Sequence, residues 1–132
     1  MFYIGLSFVG EIPPRKEYSQ MSIDQVLLHL SYEAVLSIMF NDNVVFEAEI
    51  SVIEFFWYLI NWVNQNTKDN EVTFIYKTIE NDEPILSFTS LRSGCWEIDS
   101  IWMNSSTPLI IDHNVFWHAV DHLVNQLETT IN

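Results

Sequence analysis

The sequence predicts an α+β fold. One domain, residues 1–132, holds an antiparallel β-sheet of about five to six strands packed by two main helices, at roughly residues 51–65 and 113–130. Three observations predict it. Short apolar runs alternate with turn-forming clusters, two longer stretches carry a helical period, and no repeat, low-complexity tract or linker interrupts the chain. With 48% hydrophobic and 14% aromatic residues, the chain has ample material for one core and is not disordered.

Phe2 to Val9 is β-branched and aromatic, and Gly10 to Lys16, with Pro13 and Pro14, is punctuated as a loop. The N-terminal run lacks a basic start and a small-residue cleavage site, so it reads as a first strand rather than a signal peptide. Ser22 to Leu30 fits a short helix or irregular segment through Ile23, Val26, Leu27 and Leu30. Glu33–Phe40 and Val44–Ile50 flank Asn41-Asp42-Asn43, which tolerate positive φ, and so form a hairpin.

Ser51 and Glu54 have the spacing of a capping box, which starts a helix. Its apolar residues cover well over half the circumference and leave Glu54, Tyr58, Asn61 and Gln65 as a narrow polar strip, so the helix is buried on most sides or meets a partner. Trp57 and Trp62 fall at opposite edges of the apolar stripe, and either can be an exposed anchor. A meander follows: Glu71 to Glu80, a turn at Asn81 to Pro84, Ile85 to Leu91, a turn at Arg92-Ser93-Gly94, and Cys95 to Met103. After Pro108, Asp112 or Asn114 caps a last helix with Phe116, Ala119, Val120, Leu123, Leu127 and Ile131 on one face. His118, Asp121, His122 and Asn125 lie opposite.

The formal charge is -13 and the sequence pI near 4.3. A field of that sign repels nucleic-acid backbones and anionic membranes, so neither is an expected partner and a basic protein is the complement. Cys95 stands alone and forms no internal disulfide, which favours the cytoplasm. The longest apolar stretch, Val52 to Val63, has about 12 residues against the roughly 20 a bilayer needs.

Three glycines, at positions 5, 10 and 94, build no phosphate-cradling loop, and the serines fit no nucleophile elbow. No cofactor, metal or catalytic set is therefore expected, and the chain reads as a binding protein rather than an enzyme. His118-Ala-Val-Asp121-His122 approaches an inverted zinc-protease motif, but Asp121 replaces its glutamate and no third ligand follows; the plainer reading is a solvated helix face. A metal hydrolase using these residues is one alternative. Cys95, among Trp and Ile after a glycine turn, reads as a small buried hydrophobe.

Acidic residues are informative through their placement. Alternation sets Val44, Phe46, Ala48 and Ile50 against Val45, Glu47 and Glu49, and Trp96, Ile98 and Trp102 against Glu97 and Asp99. Glu47, Glu49, Glu97 and Asp99 are the first candidates for partner binding, with the turn acids Asp82 and Glu83 second. An acidic inhibitor that mimics nucleic acid would use the same carboxylates; a small-ligand module would use Trp57, Trp62 or Trp96 instead.

A Phe/Trp-rich helix after a hairpin, a meander with Gly94, Trp96 and Ile98 as Gly-x-Trp-x-Ile, and the acidic balance resemble the immunity proteins of bacterial polymorphic toxins. The likeness is to those of contact-dependent growth inhibition systems in particular. It implies an antitoxin that binds a cognate toxin domain, often a basic nuclease, and blocks its active site.

Overall fold

The computed structural model describes residues 1–8, 33–66, 70–78, 83–104 and 107–131. The helix expected at Ser22–Leu30 and the acid Asp82 lie outside the described residues.

Strand β1 (Phe2–Phe8), β2 (Glu33–Phe40) and β3 (Asn43–Ser51) form an antiparallel sheet in that order. Asn41 and Asp42 take φ of 51° and 68°, which makes the hairpin a two-residue turn with Asn43 already paired to Phe40. Alternate residues Ile4, Leu36, Ile38 and Phe46 face the core. The register slips between Ile38 and Met39, so that Val45 is an extra residue opposite neither. That bulge turns Val44 out to solvent, against the expectation that it joins Phe46 inside.

Helix α1 (Val52–Gln65) leaves β3 without a break. Ser51 stands at its N-cap with extended backbone, yet no side-chain cap bond forms. The expected capping box is absent because Ser51 is still the last residue of β3, opposite Glu33. At the other end, Asn66 closes the helix. Its amide nitrogen donates to the Trp62 carbonyl at 2.9 Å and its side-chain oxygen accepts from Val72 N–H at 3.0 Å.

A second antiparallel sheet runs in the order β4 (Phe74–Tyr76), β5 (Leu86–Ser90), β6 (Cys95–Asp99) and β7 (Leu109–Asp112). Gly94, at φ +81°, supplies the left-handed residue of the turn between β5 and β6. Strand β6 stops four residues before the expected Met103. Asp99 Oδ1 accepts the Ser100 N–H and Ser100 Oγ the Trp102 N–H, both at 2.9 Å, so local side-chain bonds replace the ladder. Trp102 is consequently 42% exposed rather than on the core side.

Among the described residues the architecture is α+β with two helices, but the strands form two sheets of three and four rather than one of five to six. The difference has two sources: β7, beyond Pro108, adds a strand to the expected set, and α1 carries the chain from one sheet to the other. Among the described residues no ladder joins the sheets. Asn104 bridges them instead, donating its backbone N–H to Val45 O at 2.9 Å and its side-chain amide to Val44 O at 3.0 Å.

Helix α2 (His113–Ile131) starts directly after β7, and of the two caps expected Asp112 is the one used: its Oδ2 accepts Asn114 N–H at 3.1 Å. Phe116, Ala119, Val120, Leu123 and Leu127 are buried, while His118, Asp121, His122 and Asn125 are exposed, as the spacing predicts. The side chain of Ile131 lies outside the described set.

Inner faces of both sheets and both helices share one hydrophobic cluster. Its centre is aromatic. Trp62 stacks on Trp117 with centroids 5.1 Å apart, and Trp96 on Phe116 at 4.8 Å. Such pairs add about 0.5–1.5 kcal/mol each beyond area burial. Among the described residues, no polar or charged side chain is buried and no helix is long and apolar enough to cross a membrane.

Candidate functional site

Burial of Phe46, Ala48 and Ile50 forces Glu47 and Glu49 outward on β3, where they are exposed opposite Ser37 and Val35. Burial of Trp96 and Ile98 does the same on β6. Asp99 is exposed opposite Ser87, and Glu97 is half-buried between Thr89 and Ile110. The two pairs occupy different sheets. Asn104, five residues after Asp99, is bonded to β3 at Val45, two residues before Glu47. Glu83 is exposed just before β5.

The backbone of this surface is one-signed. Among the described residues no strand and neither helix contains a Lys or Arg, whereas nine of the 18 acids lie within them. Lys77 and Arg92 are exposed on connections. Among the described residues His113 Nδ1 lies 3.9 Å from Glu71 Oε1, an approach that is not an ion pair while that nitrogen accepts a hydrogen bond. Glu71 also accepts the Ser90 hydroxyl, and His113 Nδ1 accepts the Trp96 indole N–H at 3.2 Å.

A second feature was only half legible in the sequence. Trp57, Tyr58, Asn61 and Gln65 of α1 face Thr73 and Ile75 across a groove of about 440 Å³, floored by Trp62 and Phe74. Trp57 is 61% exposed and Trp62 4%, so Trp57 is the open edge of the helix stripe. Trp62 is held inside by neighbouring rings and by its indole N–H, which donates to Val72 O at 2.6 Å. The polar strip of α1 was readable from spacing. Ile75, 50% exposed, was signalled by its place between the inward residues Phe74 and Tyr76. At the start of the groove, Tyr58 donates its hydroxyl to Lys77 O at 3.2 Å. Burial, with the carboxylate of Glu54 beside it, raises the Tyr76 phenol well above its ordinary range.

His118, Asp121 and His122 line the outer face of α2, where the His122 ring lies 5.3 Å from that of Tyr3. Among the described residues no three His, Cys, Asp or Glu side chains are grouped to hold a metal. Cys95 is half-buried opposite Asp112 on the outward face of its sheet, not in the core as expected.

These features define a small α+β domain with acidic outer sheet faces and an aromatic groove. Residues 8–132 match the DUF7878 family, described as a domain of unknown function, and the chain belongs to that family. No curated protein and no solved structure matches it.

Proposed function

We propose that the protein is an immunity protein of the polymorphic-toxin or contact-dependent growth inhibition kind. It binds a cognate basic toxin domain, a nuclease, in the cytoplasm and lays carboxylates over the active site. The observation that carries this reading is the one-signed scaffold: outward acids on both sheets, with no Lys or Arg in the strands and helices of the described residues. A surface of that kind steers a cationic partner during encounter, and its carboxylates occupy the places where substrate phosphates would sit.

The test is co-expression with the reading frame immediately upstream, followed by kinetics of complex formation. A stoichiometric complex that silences the toxin domain is expected. Replacing Glu47, Glu49 and Glu97 by Gln and Asp99 by Asn should slow association at low salt about tenfold or more. Unchanged association would remove these four residues from the docking surface, and no complex at all would overturn the reading.

A further inference from the structure

Trp57, Tyr58 and Ile75 bring three large solvent-facing side chains together on one groove. Phe74 points into the core and Ile75 away from it, yet both line that groove. Only the edge of a strand presents both faces at once. Among the described residues β4 is the end strand of its sheet and pairs with β5 on one side, so the groove follows its other edge.

We infer that this edge accepts an extended segment of the basic partner, which adds a strand to β4 and sets an arginine or lysine side chain against Trp57. Strand addition takes its affinity from main-chain bonds and its selectivity from the side-chain pockets beside the edge. Those pockets here are aromatic. An exposed indole face attracts a guanidinium or ammonium group, and Asn61 and Gln65 offer amides to the incoming chain. The charge complement comes from α1, whose single charged residue, Glu54, lies one turn before Tyr58 on the same strip. The Glu54 carboxylate lies beside the buried Tyr76 phenol, which hydrogen-bonds to it. From Glu54 to Gln65 the strip runs about 16 Å, which matches roughly five residues of extended chain.

The inference rests on the immunity reading and is tested on the same complex, using the full-length protein and the toxin domain encoded upstream. Trp57→Ala removes a solvent-facing ring and Glu54→Gln is isosteric, so both variants keep the fold. Each should speed dissociation, Trp57→Ala about tenfold or more, while association stays within about twofold. Amide exchange at residues 73–75 should slow on binding, the signature of an added strand. If the complex forms but dissociation of both variants and exchange at 73–75 are unchanged, the groove assignment is wrong and the immunity reading stands. If no complex forms, both fall.

Discussion

The indole nitrogen of Trp96, a fully buried residue, finds its acceptor in His113 Nδ1 at 3.2 Å. Replacing His113 by Ala leaves a buried donor unsatisfied and should cost about 1–3 kcal/mol of unfolding free energy, read from urea midpoints. With Trp96→Phe also present the second loss should be smaller than in the wild type; strict additivity would show that the bond contributes nothing. Tyr76 offers a pH test. Its phenol is raised by burial first and by Glu54 and Tyr58 after, above the ordinary value of 10.0. Below that value both states keep the proton and stability is whole. Above it the unfolded chain ionises while the native phenol does not, so stability falls by about 1.4 kcal/mol per pH unit. Tyr76→Phe should remove that slope, and equal slopes in both proteins would contradict it. A helical wheel placed Trp57 and Trp62 at the edges of one stripe, but not which edge meets neighbours. Phe74 and Trp117 close over Trp62, and both come from distant parts of the chain.

At the scale of elements, alternation read the strands well where the ladder runs undisturbed. Glu33–Phe40 is the strand expected, and the Asn41-Asp42 turn follows from residues that accept positive φ. The misreadings share a cause: side chains that bond locally or across space, which no period reveals. Asp99 and Ser100 end β6 early; Asn104 ties a loop to the bulged start of β3. Leu109–Asp112 is a strand of four residues, too short to display a period, and it abuts both Pro108 and a helix. Gln126 shows the same physics at the edge of β1. Its amide donates to Leu6 O at 2.9 Å and accepts from Leu6 N–H at 3.0 Å, the pair of bonds that a neighbouring strand would make. Sheet order places β1 at an end, where an unpaired edge invites pairing with another chain. Gln126→Ala should therefore speed exchange of the Leu6 amide and cost about 1–2 kcal/mol. Gln126→Glu keeps the acceptor and loses the donor, so it should protect Leu6 N–H in part. If the alanine variant exchanges at the wild-type rate, the clamp does not hold the edge.

For the whole molecule, charge is the property that composition announced and the fold distributed. Periodicity put Glu47 and Glu49 on one outer face and Glu97 and Asp99 on another; it did not reveal that the faces belong to separate sheets. With no cation in the described strands and helices, these acids are not neutralised within their own elements. A compact molecule of charge -13 works against its own repulsion. At about 10 mM salt the screening length is roughly 30 Å and carboxylates across the molecule feel one another; at about 150 mM it is near 8 Å and they do not. The urea midpoint of the isolated protein should therefore rise between those salt concentrations. Replacing Glu47, Glu49, Glu97 and Asp99 by their amides takes the formal charge from -13 to -9, which should raise the low-salt midpoint and shrink the salt response. The same substitutions should weaken encounter with a basic partner. Stability gained where association is lost identifies acids kept for binding at a cost to folding. A four-amide variant that loses stability at low salt would mean instead that these carboxylates hold the sheets together.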